Sequence, residues 1–408
     1  MIEMSLISVE EALHRLIDGS RPSGRTETLP LGEAGGRVLA VPLAARLTQP
    51  PFDSSAMDGY ALRADDVLQL GSRLHVIGES AAGRGFDGVV GPGEAVRIFT
   101  GAPVPDGADA VLLQEDAVKH DGGLIENRFA LARGRHIRPR GQDFIEGEEV
   151  LPTGAILDAG RLVAAAGMNH AEVEVFAKPL VAVIATGDEL VQAGGRPGPH
   201  QIIASSVFGV SHLAKQAGAD VLDLGIVADD RAAIEATVAK ARAAGADIIV
   251  TLGGASVGDH DLVQAALVGA GMQLDFWRIA MRPGKPLMVG SLGGARVLGL
   301  PGNPVSSMVC ALLFLEPLIA HLARRPAPHR VATAFTVTDL AANDQRRDYL
   351  RATLRRRDDG ELEVQSFGKQ DSSQMKIFAR SDCLVVRPPH AAALPAGGRC
   401  TVLLLRGR

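Results

Sequence analysis

The sequence predicts a multidomain α/β protein: a central three-layer α/β/α domain with a mainly parallel sheet, two small β domains and an elongated helix/strand linker domain. Three observations predict it. At 408 residues the chain is too long for one ordinary core, so roughly two to four domains are expected. From Lys178 apolar strand-like runs alternate with helical patterns over short connections, which implies a parallel sheet covered by helices on both faces. On either side of that region, short β-like runs alternate with glycine-rich turns, as in small β domains.

Taken in order, Ser8-Val9-Glu10-Glu11 has the Ser-x-x-Glu form of a capping box, and Val9, Ala12, Leu13, Leu16 and Ile17 follow at helical spacing. A helix of about three turns ending at Gly19 is expected there, and a second short helix around Leu31–Leu39. Pro50-Pro51-Phe52 then breaks the chain into an extended segment. RLHVIG, EAVRIFTG, DAVLLQED and GLIEN read as strands of a small antiparallel β domain. The stretch from Arg138 to Gly167 reads as loop, strand and short helix; neither it nor the N-terminal segment holds enough apolar residues for its own core. The expected domains are therefore 1–45 with 141–177 (linker), 46–140 (small β), 178–326 (α/β) and 327–408 (C-terminal, β-barrel-like), the last after the proline-rich RRPAPH.

Within the α/β region PLVAVIATGDEL, ADVLDLGIVADD and ADIIVTLGG read as strands, and SSVFGVSHLAKQAG, RAAIEATVAKARAAG and DLVQAALVGAG as helices. FWRIAMRPGKPLMVG and RVLGLPGNPVSS continue the series as buried strands of a parallel-type sheet. The last helix opens at Asn303-Pro304, an N-cap followed by proline at the first helical position, and runs through MVCALLFLEPLIAHLA. ATAFTVT, DYLRATL, ELEVQSF, CLVVRP and CTVLLLRG then supply the strands of the last domain.

A net charge of −5 argues against nonspecific nucleic-acid binding through a broad basic face, so any anion specificity must be local. The three cysteines, Cys310, Cys383 and Cys400, show neither metal-ligand spacing nor a disulfide framework, which fits a reducing cytosol. The N-terminal MIEMSLISVEEAL does not have the form of a signal peptide, and no apolar run of spanning length is free of charge or proline. A soluble cytoplasmic protein without nucleic-acid or membrane partners is expected.

The chemistry concentrates between Asp247 and Ser307. Ligands of parallel sheets sit beyond the carboxyl ends of the strands, where backbone N–H groups and helix N-termini face an anion. Here those ends carry Gly253, Gly254, Ser256 and Gly258, the acids Asp259 and Asp261, the cations Arg278, Arg282 and Lys285, and the turn Pro301-Gly302-Asn303-Pro304. Glu189, Asp229 and Asp230 also fall just past strand ends. A solvated surface explains any one of these acids, but poorly explains several at the ligand edge; for Asp188 and Asp230 the surface reading is the better one. Mg2+ prefers one or two carboxylates plus phosphate oxygens, and this cluster can supply them. There is no Gly-x-x-x-x-Gly-Lys-[Ser/Thr] and no Gly-x-Gly-x-x-Gly opening the first α/β unit, which argues against a P-loop ATPase and a nicotinamide Rossmann site. A second polar set lies far off in sequence: Asp53, Ser54, Met57 and Asp58, then Thr100, then Arg138 and Asp143.

FDSSAMDGYA, IFTGAPVPDGADAVLLQED, RPRGQD, ATGDEL, TLGGASVGDHD, MRPGKP and GLPGNPVS, in this order, resemble the MoeA/gephyrin family of molybdopterin molybdenumtransferases. The resemblance implies an α/β domain of the molybdopterin-binding type. It implies insertion of molybdenum from molybdate into adenylylated molybdopterin, with Mg2+ and release of AMP. It also implies a homodimer whose composite cleft joins the α/β domain of one subunit to the small β domain of the other, and it admits the upstream adenylyltransferase as a partner. The family's catalytic positions carry over to Asp58, Thr100, Asp143, Glu189, Asp229 and Asp261, with Glu189, Asp229, Asp259 and Asp261 toward the metal. Its substrate-binding positions carry over to Arg138, Lys285, Pro301, Pro304 and Ser306 and, in the C-terminal domain, to Arg346, Arg351 and Ser372. Arg278 and Arg282 stand where the family often has lysine, Gln345 where it has glycine before Arg346, and Asp371 where it has glycine before Ser372. Two other readings stay open: a molybdopterin adenylyltransferase, and a non-catalytic scaffold of the gephyrin type.

Overall fold

The structure, a computed structural model, describes residues 6–253 and 262–406. It divides into two compact units, Thr26–Phe176 and the remainder, residues up to Arg25 together with those from Ala177.

In the Thr26–Phe176 unit the chain's outward and returning segments pair with each other: Thr26–Pro30 lies antiparallel to Glu172–Phe176, and Leu43–Ala44 to Glu149–Leu151. Leu39, Leu43, Phe144, Leu157, Met168 and Val175 form the core of this part. The helix Ala159–Gly167 is opened by Asp158, whose carboxylate accepts from the Arg161 N–H. The helix expected around Leu31–Leu39 is instead a single 3-10 turn, Leu31–Glu33; Gly35 and Gly36, the latter at φ +74°, stop its propagation.

The rest of that unit is a six-stranded sheet in the order Ala110–Leu113, Gly59–Leu62, Glu94–Ile98, Arg73–Ser80, Leu124–Asn127, Ala117–His120. All its pairings are antiparallel except that of Arg73–Ser80 with Glu94–Ile98. The sheet is mixed because 13 residues, Ala81–Gly93, separate those two strands, enough chain to cross back.

The other unit is built on a six-stranded sheet in the order Asp220–Val227, Leu180–Thr186, Ile248–Leu252, Ala295–Leu300, Pro286–Leu292, Gln273–Arg278. The first four are mutually parallel. The last two strands in that order pair antiparallel, which corrects the parallel reading of FWRIAMRPGKPLMVG. Connection length is the reason. Seven residues join Gln273–Arg278 to Pro286–Leu292, and Gly293-Gly294, both at positive φ, join the latter to Ala295–Leu300; neither link can make a crossover.

Helices Ser206–Ala217, Arg231–Ala243 and Leu262–Gly269 and the segment Pro304–Leu322 cover the sheet. Pro304–Leu322 is long and apolar enough to cross a membrane, yet it lies mostly buried in this core, with five residues, Ala311–Leu315, wound as a π-turn. The first helix, Val9–Asp18, has Ser8 as N-cap, its hydroxyl accepting from Glu11 N–H at 3.1 Å. It buries Val9, Ala12 and Leu16 against this core, so its packing places it with the α/β region and not with the linker segment.

The C-terminal strands close into a barrel: Arg347–Arg356 pairs on one side with Leu362–Ser366 and on the other with Cys383–Arg387. Met281–Arg282 adds a short parallel pairing to this barrel's sheet. Arg330 and Glu316 tie the entry to the barrel through two bonds, at 2.6 and 2.5 Å. All three cysteines are buried thiols.

Candidate functional site

Register sets the site. Thr186 lies opposite Val227, Ala185 opposite Leu252, and Leu252 opposite Leu300, so four parallel strands end side by side. Pro286–Leu292 runs the other way and begins at that same edge. Beyond it lies a cavity of about 1030 Å3 lined by Thr186, Gly187, Glu189, Asp229, Gly253 and the turn Pro301–Pro304, among others.

Backbone geometry makes room there. Gly253 has φ +101°, and a Cβ on it would stand 2.7 Å from the Thr186 carbonyl oxygen. Gly187, at φ +147°, lies under the Glu189 side chain, whose carboxylate would collide with a Cβ at that position. Ser307 Oγ donates to the Pro301 carbonyl, and Ser307 N–H to the Asn303 carbonyl at 2.9 Å, which tie the turn to the helix that follows. The Thr186 hydroxyl is buried and has no hydrogen-bond partner among the described residues. Composition did not single it out; its place as the last residue of a strand at the ligand edge is the signal that could have done so.

The acids gather as a set. Asp229 N–H donates to Asp188 Oδ1 at 3.1 Å. Burial first, then the negative charges of Asp188 and Glu189, push the Asp229 carboxyl above the ordinary carboxylate value. Carboxylates that raise one another's affinity for protons also attract a hard divalent cation. Among the described residues no group of three or more His, Cys, Asp or Glu is close enough to form a cage. The two carboxylates that line the cavity, Glu189 and Asp229, fit a cation that completes its shell with phosphate oxygens and water.

The predicted bases divide. Lys285 is exposed and Arg278 half-buried, and neither has an ion-pair partner among the described residues. Arg282 is engaged: its guanidinium holds Asp348 in a fork at 2.8 and 2.5 Å. Arg346 pairs with Asp344 at 3.1 Å. Among the described residues Arg351, 1% exposed, faces no carboxylate at ion-pair distance and its Nε has no hydrogen-bond partner; its Nη2 donates to the Asp371 carbonyl at 3.1 Å. Ser306 is buried in the first turn of the helix Pro304–Cys310, and Ser372 accepts from Asn303 Nδ2 at 3.1 Å. Gly254, Ser256, Gly258, Asp259 and Asp261 lie outside the described residues. Ile202, Ser205, Ser373 and Met375 line the cavity without having been singled out in the sequence.

The Thr26–Phe176 unit has a cleft of its own, about 490 Å3, lined by Phe52, Ser54, Gly101, Arg138, Gln142 and Asp143 among others. Arg138 and Ser54 are partners in a short antiparallel pairing. Asp53 Oδ1 accepts from Arg140 N–H at 2.7 Å, which holds the two loops together. Asp58 Oδ1 accepts from both the N–H and the hydroxyl of Thr100. The Thr100 N–H, then its hydroxyl, then Arg97 hold the Asp58 carboxyl below the usual carboxylate range.

The family described as "MoeA N-terminal region (domain I and II)" matches residues 7–168, "Probable molybdopterin binding domain" residues 182–321, and "MoeA C-terminal region (domain IV)" residues 333–405. A molybdopterin molybdenumtransferase of Haemophilus influenzae is 36% identical over 402 residues, covering 97% of this chain and 98% of that protein. One from Nostoc sp. is 34% identical and covers 93% and 89%. A crystal structure titled as the molybdopterin biosynthesis MoeA protein from Pyrococcus horikosii superposes with a TM-score of 0.83 at 29% identity, over 99% of this chain and 100% of that one.

Proposed function

The chain belongs to the MoeA family, and from that membership we propose that it is a molybdopterin molybdenumtransferase of molybdenum cofactor biosynthesis. It inserts molybdenum from molybdate into adenylylated molybdopterin and releases AMP. The observation that carries the reading is the convergence of Glu189, Asp229, Gly253 and the Pro301–Pro304 turn on one cavity at the carboxyl edge of the sheet.

In this reading the backbone around Gly253 and Pro301–Pro304 receives the anionic pterin nucleotide. The Thr186 hydroxyl supplies one neutral hydrogen bond, and Lys285 and Arg278 offset the charge of phosphate or molybdate oxygens. Glu189 and Asp229 would hold Mg2+, with Asp259 and Asp261 as further ligands. When bound, the Mg2+ neutralises charge on the phosphoanhydride. Asp58, Thr100, Arg138 and Asp143 complete the site from the second subunit of a homodimer. The substrate comes from the upstream adenylyltransferase, and the enzyme acts in the cytoplasm.

Incubation of the protein with adenylylated molybdopterin, molybdate and Mg2+ tests the proposal. AMP release that requires both molybdate and Mg2+ is expected; its absence overturns the reading. Consumption of ATP with molybdopterin alone would point to the adenylyltransferase instead.

A further inference from the structure

One wall of the α/β cavity comes from the C-terminal domain. Residues 371–375 leave the barrel and meet the first turn of the helix Pro304–Cys310. There Asn303 Nδ2 donates to Ser372 Oγ at 3.1 Å, and Val305 N–H donates to the Ser372 carbonyl at 3.2 Å. Asn303 occupies the N-cap position, where an asparagine side chain ordinarily accepts from the helix's own first amides, yet it makes no such bond. The strap takes over that role: its carbonyl satisfies one orphan amide, and its hydroxyl engages the side chain that would have done so. Ser373 and Met375 line the cavity, and Ser205 Oγ donates to Met375 Sδ at 3.2 Å.

The strap is also fixed from behind. Asp371 Oδ1 accepts from the Ser373 N–H at 2.8 Å and the Ser373 hydroxyl at 2.5 Å, and the Asp371 carbonyl accepts from Arg351 Nη2. Gln370 grips the Arg351 backbone at both ends: its Oε1 accepts from the N–H at 2.8 Å, and its Nε2 donates to the carbonyl at 3.1 Å.

We propose that Asp371 and Gln370 are positioning residues: they set the strap so that the C-terminal domain clamps the Pro301–Pro304 turn and shapes one wall of the cavity. Asp371 is the informative member, because it stands where the family pattern has glycine. A glycine offers Ser373 no acceptor, whereas an asparagine offers the same oxygen without the charge. The proposal rests on the functional reading only for the identity of the guest.

The experiment compares the full-length wild type with Asp371→Gly, Asp371→Asn and Asn303→Ala. Amide exchange is followed at Val305, and KM and kcat for adenylylated molybdopterin are measured in AMP release. Asp371→Gly is expected to speed exchange at Val305 about tenfold and raise KM about tenfold, with kcat within about twofold. Asn303→Ala, which cuts the other end of the clamp, is expected to do the same, and Asp371→Asn to match the wild type in both measurements. Unchanged exchange at Val305 in Asp371→Gly, an unchanged KM in that variant, or an Asp371→Asn protein as impaired as Asp371→Gly overturns the proposal. A wild type that releases no AMP defeats the functional reading alone, and the exchange measurement still decides the clamp.

Discussion

The backbone N–H and the hydroxyl of Thr100 converge on a single oxygen of Asp58, each at 2.8 Å. Sheet register brings these two distant residues together: Gly59 lies opposite Ile98 in an antiparallel pair, so Asp58 and Thr100 sit just past neighbouring strand ends. One residue thereby aims the carboxylate and favours its ionised form.

Thr100→Ala removes the hydroxyl donor and leaves the N–H. The Asp58 pKa should rise partway toward its ordinary value, as read by NMR titration of its carboxyl carbon. The depressed pKa contributes stability above the unfolded-state pKa and loses it as pH falls through the folded-state value. The variant is therefore less stable than wild type at neutral pH, and this contribution to the difference vanishes in acid. AMP release is expected to fall about tenfold.

Asp229→Asn is expected to stabilise the metal-free protein while abolishing Mg2+-dependent activity. The raised pKa means that ionising Asp229 costs the folded state, a cost absent below the unfolded-state pKa and fully felt as pH rises past the folded-state one. The gain at neutral pH is at most about 1 kcal/mol, because the group meets solvent, and it disappears in acid. Thermal melts with Mg2+ or a chelator check this: Mg2+ should raise Tm in the wild type and much less in the variant.

Gly253→Ala and Gly302→Ala separate backbone demand from simple space. At Gly253 the positive φ and the Thr186 carbonyl oppose a Cβ, and a loss of about 2 kcal/mol is expected in urea unfolding. At Gly302 a Cβ would meet, among the described residues, only Gly253 Cα, at 3.8 Å, and the loss should stay below about 0.5 kcal/mol.

Arg282→Lys replaces a forked pair with a point charge. Arg282 grips Asp348 through both Nε and Nη2, and Asp348 is 7% exposed. A lysine keeps the charge but loses the planar two-bond geometry, and about 1 kcal/mol of stability should go with it. A double-mutant cycle with Asp348→Asn should show coupling between the two positions.

Much of the fold is legible where the chain's requirements are local. Ser8 and Glu11 announce the first helix, Asn303-Pro304 the start of the last one, and Gly293-Gly294 a tight hairpin. The hairpin was readable and would have corrected the parallel reading of the strands around it. The first helix was legible as a helix but not in its location: Val9, Ala12 and Leu16 fit any apolar surface, and the core they joined was that of the α/β region. Among the bases, charge alone could not show that Arg282 is engaged by Asp348.

By itself the sequence determined the succession of strands and helices, the places where glycine or proline is required, and the motifs that mark the family. Those depend on periodicity and backbone freedom over a few residues. Tertiary structure alone decided that four strand ends align, that Thr100 meets Asp58, and that Ser372 stands in for a helix cap. Each of those contacts joins residues 40 or more positions apart, and pairing at that distance is selected by the packing of the whole unit, for which no short segment carries the information.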